Sequence, residues 1–343
     1  MIIIMEPKAT QEQIEKVIKV MENKGFRTNI NQGDIMTVIA AIGDKRLMQP
    51  QSVASLDGVR EVKLIQEPFK LASREGQNED TIVKLPGNIK IGGKELPVMM
   101  AGPCCVENQE GLLTIAHRVK AAGAKILRGG AFKPRTSPYD FQGLEEVGLT
   151  YLKEAKNQTG LLIATEVMDT NTVDLVAEYS DIMQVGARNM QNFKLLKALG
   201  ELGKPVILKR GPASTIREFL LAAEHIMYNG NPNVILCERG IKGIDAQYSR
   251  NTFDIAAIPI IKKYSHLPII VDPSHATGRR YLIEPMTKAS LIAGAHGAIV
   301  EVHNDPDNAL CDGAQSLTMD MFDDMMKTIN KLIGLLSYEP QNA

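Results

Sequence analysis

Almost no net charge separates the 39 Lys and Arg of this 343-residue chain from its 40 Asp and Glu. A balance of -1 lacks the basic footprint of a nucleic-acid binder or of a protein drawn to an anionic membrane. Any basic cluster is therefore local, which suits a small anionic ligand. Cysteine is scarce: Cys104, Cys105, Cys237 and Cys311 are too few in a chain this long for a disulfide framework. Long hydrophobic runs are missing too, and the longest falls well short of a membrane span. The apolar start, residues 1–5, has no basic flank and no cleavage motif, so it reads as a first strand and not as a secretion signal. These absences lead to the expectation of a soluble protein in the reducing cytoplasm. What is present is ordinary for a globular chain with a sizeable core, 44% hydrophobic and 23% charged, and the length suggests two domains.

Residues 1–65 read as a compact unit. A strand over 2–5 is followed by a capping-box pattern, Thr10-Gln-Glu-Gln13, and by Ile14, Val17, Ile18 and Met21 at helical spacing. Two strands over 26–31 and 35–42 join at Gly33-Asp34, a short helix covers 50–56, and Val59, Val62 and Leu64 mark a fourth strand. The order β-α-β-β-α-β is the ferredoxin-like pattern. No cluster of chemically active side chains falls in it, which suggests regulation or assembly. Residues 66–87 are polar and read as a linker. Gly92-Gly93 is expected to turn a hairpin between 89–91 and 95–97.

From Val98 onward, apolar runs alternate with helical segments such as 112–121 and 216–225. The runs cover 98–101, 125–127, 161–164, 182–185, 206–208, 234–236, 269–271 and 298–300. Near-continuous apolar strands belong to a parallel sheet buried on both faces. Eight strand–helix units over about 250 residues match a (β/α)8 TIM barrel; an open doubly wound sheet is the alternative. The expected fold is thus α/β, a barrel over 88–340 with an N-terminal hairpin, preceded by the small ferredoxin-like α+β domain.

In such a barrel the residues just after each strand share one face. Read in order, these positions give Cys104 after the first strand, Arg128, Lys133 and Arg135 after the second, and Glu166 after the third. Arg188, Lys209 and Arg239 follow the fourth, fifth and sixth, His275 the seventh, and Glu301 the eighth, with Asp312 soon after. Two chemical sets emerge. Arg128, Lys133, Arg188, Lys209 and Arg239 form a cationic pocket for phosphate and carboxylate. Cys104, His275, Glu301 and Asp312 form a mixed ligand set for a divalent transition metal of the Mn, Fe, Zn or Co class. The latter come from the first, seventh and eighth strands, which are neighbours once the barrel closes. Cys105, Cys237 and Cys311 read as structural, with Cys105 pointing away from Cys104 if the strand alternation persists. His117, His225 and His266 read as surface or helix residues without a role.

Four motifs together, Ala101-Gly-Pro-Cys-Cys-Val-Glu107, Leu127-Arg-Gly-Gly-Ala-Phe-Lys-Pro-Arg-Thr-Ser137, Asp272-Pro-Ser-His-Ala-Thr-Gly278 and Cys311-Asp-Gly-Ala-Gln-Ser316, resemble 3-deoxy-D-arabino-heptulosonate 7-phosphate (DAHP) synthase. The resemblance runs from near Ile89 to near the C-terminus. The first 65 residues resemble the regulatory domain of short bacterial and archaeal members. The related 3-deoxy-D-manno-octulosonate 8-phosphate synthases use arabinose 5-phosphate and typically carry Lys-Ala-Asn-Arg where this chain has Lys133-Pro134-Arg135-Thr136. That difference favours erythrose 4-phosphate.

The resemblance implies phosphoenolpyruvate on Arg128, Lys133, Arg188, Lys209 and Arg239, and the sugar phosphate on Arg135 and Thr136. Glu166 is placed to orient water, and Lys209 to act as an acid near the reacting carbons. It also implies an aromatic amino acid inhibitor, Tyr or Phe, at the N-terminal domain, and a homotetramer. Two other classes remain open at this point: a Schiff-base aldolase using Lys209, and a non-catalytic anion sensor.

Overall fold

The computed structural model describes residues 1–32, 37–43, 48–63, 68–135 and 137–336. The expected turn at Gly33-Asp34, the strand end at Leu64, and Thr136 lie outside the described residues. The chain forms two compact units, one of residues 1–79 with 263–266, the other of residues 80–262 with 267–343.

In the first unit, β1 (Ile2–Met5), β2 (Arg27–Gln32), β3 (Thr37–Ile42) and β4 (Val59–Lys63) form an antiparallel sheet in the order β2-β3-β1-β4. Helices α1 (Gln11–Asn23) and α2 (Pro50–Ala54) complete it. The period-2 set Met1, Ile3 and Met5 is buried with the helical set Ile14, Val17 and Met21 and with Phe26, Ile39 and Val53. The capping box forms: Gln13 N donates to Thr10 Oγ1 at 3.3 Å, and Thr10 N to Gln13 Oε1 at 2.9 Å. His266 corrects its sequence reading as a surface or helix residue. It is buried, with Nε2 2.7 Å from the Leu71 carbonyl oxygen.

The second unit opens with β5 (Val83–Leu85) and β6 (Ile89–Ile91), paired antiparallel around Pro86–Asn88. This corrects the expected hairpin, which placed the turn at Gly92-Gly93 and left 83–85 in the linker. The physical reason lies in the alternation: Val83 and Leu85 are buried on either side of exposed Lys84, a strand signal inside a polar stretch.

Eight parallel strands follow: β7 (Val98–Gly102), β8 (Ile126–Arg128), β9 (Leu162–Val167), β10 (Ile182–Val185), β11 (Val206–Lys209), β12 (Val234–Glu238), β13 (Ile269–Val271) and β14 (Gly297–Glu301). Between them lie α3 (Gln109–Ala122), α4 (Glu145–Thr159), α5 (Val173–Tyr179), α6 (Phe193–Leu202), α7 (Ile216–Tyr228), α8 (Ala257–Tyr264), α9 (Pro273–Thr277) and α10 (Ile283–Ile292). α11 (Met319–Leu336) comes last. The barrel is closed in chain order, with β14 against β7 over five residue pairs. β13, β14 and β7 are consecutive in the ring, as the metal-ligand reading required.

One residue parity builds both the core and the site. Met100, Ile126, Ala164, Ile182, Ile207, Ile270 and Ile299 pack together with Val83, Leu85 and Ile91 of the hairpin. Two residues further along each strand, the same alternation carries Gly102, Arg128, Glu166, Gln184, Lys209, Asp272 and Glu301. The strands are apolar at the lower levels and polar at their C-terminal ends. On the opposite parity, Arg210 pairs with Glu238 at 3.0 Å and with Asp254 at 2.9 Å.

Candidate active site

A cavity of about 430 Å³ opens at the C-terminal ends of the strands. Its walls carry Lys133, Arg135, Arg188, Lys209, Arg239 and Arg250 against Asp140, Glu166 and Asp312. In a chain of net charge -1, this is a local concentration of cations fit for a polyanionic small molecule.

The glycine-rich start of the β8 loop owes its composition to space. A Cβ on Gly130 would sit 2.7 Å from Lys133 Cδ and 2.9 Å from the Cys104 carbonyl oxygen. Without it, Lys133 folds back and donates to Cys104 O at 3.2 Å and to Cys104 Sγ at 3.1 Å. Burial works against the Lys133 ammonium, but Cys104 and Glu166 outweigh it and hold its pKa above the usual lysine value. Gly102 clears a similar space, since its Cβ would lie 2.1 Å from the Arg128 carbonyl oxygen.

Four ligand atoms converge at one side of the cavity. Those of Cys104, His275, Glu301 and Asp312 all lie within 4.8 Å of one another. Asp312 takes a left-handed backbone, φ +50°, which Asp tolerates. Its Oδ2 accepts from Cys104 Sγ at 3.3 Å. His275 is oriented by Asp272 Oδ2, 2.7 Å from Nδ1, so Nε2 faces Glu301 Oε1 at 3.2 Å. Burial opposes the imidazolium, yet Asp272 and Glu301 raise His275 above its ordinary pKa. Burial also acts on Asp312, but His275 and Arg250 hold its carboxyl down at about 2. The Cys104 thiol is pushed well above its usual range by its hydrogen bond with Cys311, then by burial and by Glu301.

Two carboxylates, a thiol and an imidazole gathered in one cluster, with Cys104 and Glu301 buried and His275 and Asp312 half-buried, are a donor set that a divalent cation satisfies. It would draw off the thiol proton and replace the proton at Nε2. The residues fit a metal bound by mixed S, N and O donors.

Arg128 is 4% exposed and, unlike Lys209 at 3%, does not line the main cavity. Its Nη1 donates to Pro103 O at 2.7 Å and to Glu301 Oε1 at 3.2 Å. Arg128 shares a small adjacent void with Cys104, Lys133 and Glu166. Lys209 Nζ is 2.5 Å from Asp272 Oδ2, the oxygen that also holds His275. Glu166 borders the cavity beside Gln184, whose Nε2 is 3.4 Å from its Oε2. Arg188 donates to the Pro134 carbonyl at 3.1 Å, and Arg135 Nε stands 3.5 Å from Asp140.

Cys105 and Cys311 stay outside the four-ligand cluster. Cys105 forms a parallel bridge with Gly130 beyond the end of β7 and turns its Sγ towards Glu107 Oε1 at 3.7 Å, whereas Cys104 Sγ faces Asp312 and Lys133. Cys104, Cys105 and Cys311 share one buried cluster with Phe141 packed on it. The bond to Cys104 lowers Cys311, but the bond to Cys105 and burial prevail and push it up to about 12. Sequence reasoning missed Arg250, Asp272 and Gln315. Asp272 was legible as the helix cap three residues before His275, whose N donates to Asp272 Oδ1 at 3.0 Å. Arg250, which donates to Asp312 Oδ1 at 3.3 Å, arrives on the long loop after β12 with no local signal.

Comparisons with known proteins find matches along the whole chain. The family model for the DAHP synthetase I family matches residues 75–336, and that for the DAHP synthase ferredoxin-like domain matches residues 1–67. A phospho-2-dehydro-3-deoxyheptonate aldolase of Thermotoga maritima is 49% identical over 336 residues, covering 98% of each chain. A 2-dehydro-3-deoxyphosphooctonate aldolase of Syntrophotalea carbinolica is 30% identical over 267 residues, 72% of this chain and 94% of its own. The crystal structure of the Thermotoga maritima DAHP synthase superposes with a TM-score of 0.78 at 48% identity, covering 98% of both chains.

Proposed function

From the premise that this chain belongs to the DAHP synthetase I family, we propose that it condenses phosphoenolpyruvate, erythrose 4-phosphate and water into DAHP and phosphate, the first step of the shikimate pathway. The observation that carries the reading is the placement of Lys133, Lys209, Arg188 and Arg239 around one cavity whose edge holds the Cys104, His275, Glu301 and Asp312 cluster.

Phosphoenolpyruvate is a weak carbon nucleophile at C3 and must be held with its phosphate and carboxylate neutralised. Lys133, Arg188, Lys209 and Arg239 supply that charge, with Arg128 beneath them. Arg135 and Thr136 bind the sugar phosphate. Cys104, His275, Glu301 and Asp312 would hold a divalent ion, which would supply Lewis-acid polarisation of the aldehyde oxygen. C3 attacks the aldehyde carbon, water adds at C2, and the C2–O bond breaks to release phosphate. Glu166 orients the water, and Lys209 donates a proton near the reacting carbons. Holding the two substrates face to face contributes through proximity. The 2.5 Å pairing of Lys209 with Asp272 favours a cationic role over that of a free amine, which weakens the Schiff-base alternative.

Phosphoenolpyruvate consumption is expected with erythrose 4-phosphate, to be abolished by chelator, and to be at least about 100-fold slower with arabinose 5-phosphate. Equal rates with the two sugars would transfer the protein to the octulosonate reaction.

Residues 1–65 are in this reading a regulatory domain, 66–87 lead into the catalytic barrel of 88–340, and tyrosine or phenylalanine is the effector. A homotetramer and cytoplasmic residence belong to the same reading, the latter supported by four buried free thiols. No helix among the described residues is long and apolar enough to cross a membrane. Deleting residues 1–65 is expected to leave turnover intact and to remove inhibition by aromatic amino acids. Inhibition curves that superimpose on those of the full chain would remove the regulatory assignment.

A further inference from the structure

Glu301 is held at both of its carboxylate oxygens, and the two are treated differently. Oε1 faces Arg128 Nη1 and His275 Nε2, both at 3.2 Å. Oε2 accepts from Gln315 Nε2 at 2.6 Å. Gln315 is fully buried, and its Oε1 has no hydrogen-bond partner. The amide orientation follows from chemistry, because a carbonyl oxygen turned on the carboxylate would be repulsive. A buried amide that leaves its own acceptor unsatisfied to spend its donor on one carboxylate oxygen calls for an explanation.

Local structure shows how Gln315 arrives there. After left-handed Asp312, one 3-10 turn covers Gly313–Gln315. Gly313 permits it, since a Cβ there would lie 2.0 Å from the Pro306 carbonyl oxygen. The chain then joins the end of β14: Leu317 N donates to Glu301 O, and His303 N donates to Leu317 O, both at 2.9 Å. The segment that delivers the ligand Asp312 therefore also delivers, three residues later, the donor that grips the ligand Glu301.

We propose that Gln315 is a positioning residue for the metal centre, holding Glu301 Oε2 so that Oε1 is presented to the cation. The proposal rests on the reading of the four-residue cluster as a metal site. Gln315 touches neither substrate nor metal in this account. It acts through Glu301, much as carboxylates and amides behind metal ligands do in general.

The test uses cobalt(II) titration of the chelator-treated full-length protein, followed by the visible absorption of bound cobalt. Gln315→Met keeps the length and removes the donor. It is expected to raise the cobalt dissociation constant by about 10- to 100-fold and to change the intensity and position of the cobalt bands as Glu301 loosens. Gln315→Asn withdraws the amide by one methylene and is expected to move both readouts the same way; it serves if the methionine variant does not fold. Parental affinity and a parental spectrum in the variant overturn the role of Gln315 while leaving the metal site standing. Weaker binding with an unchanged spectrum also overturns it, since the residue would then be a structural support only. A parent protein that takes up no cobalt overturns the metal site and, with it, this inference.

Discussion

Replacing Cys104 with Ser is expected to lower metal-dependent turnover by about 10³-fold, the equivalent of the several kcal/mol a Lewis-acid metal supplies. Cys104 contributes the one soft donor of the cluster, and its Sγ lies between Asp312 Oδ2 at 3.3 Å and Lys133 Nζ at 3.1 Å. A serine hydroxyl retains both polar contacts, so folding should be little changed, but it does not become an anionic ligand as a thiolate does. The measurement is steady-state phosphoenolpyruvate consumption after chelator treatment and restoration with manganese, iron, zinc or cobalt. A variant that keeps full activity in chelator-treated buffer would show that the metal assignment is wrong.

The second large effect is expected at Lys209. Lys209→Met should cost about 10²- to 10⁴-fold in turnover through loss of the proton donor, and more if substrate charge is also left unbalanced. It should also cost stability. Side-chain exposures of 4% for Lys209 and 1% for Asp272 mark a buried pair. Removing one partner of such a pair costs about 3–5 kcal/mol, because the other charge remains buried. Asp272 keeps His275 as a partner, which places the expected loss at the lower end. Denaturant unfolding measures it. Adding Asp272→Asn should return part of the stability but none of the activity, since the double variant removes the orphaned charge without restoring the ammonium. Wild-type turnover by Lys209→Met would end its catalytic role. Borohydride trapping of substrate on Lys209 in the parent would move the protein to the Schiff-base class.

Much of this site was legible because a parallel barrel strand carries two messages in one alternation. The apolar runs announced the eight strands, and the polar residues closing them announced the mouth. The structure extends β9 to Val167, β11 to Lys209 and β14 to Glu301, so several residues read as loop positions are the last strand residues, pointing inward. The neighbourhood of Cys104, His275 and Glu301 followed from ring closure alone. The hairpin was misplaced because a glycine pair is a strong turn signal, whereas the three-residue alternation of Val83–Leu85 is a weak one inside a polar segment.

By itself, the sequence determined the barrel, the ferredoxin-like order of the first unit, and the two chemical sets at the strand ends. Periodicity and residue type are local properties, and they suffice wherever the backbone is regular. Only the tertiary structure decided that Arg128 lies under Glu301 and not in the cavity wall, that one oxygen of Asp272 serves both Lys209 and His275, and that Arg250 and Gln315 reach Asp312 and Glu301. Those arrangements depend on burial and on loops that return from distant positions. A side chain's partner is then set by three-dimensional distance, which no spacing along the chain records.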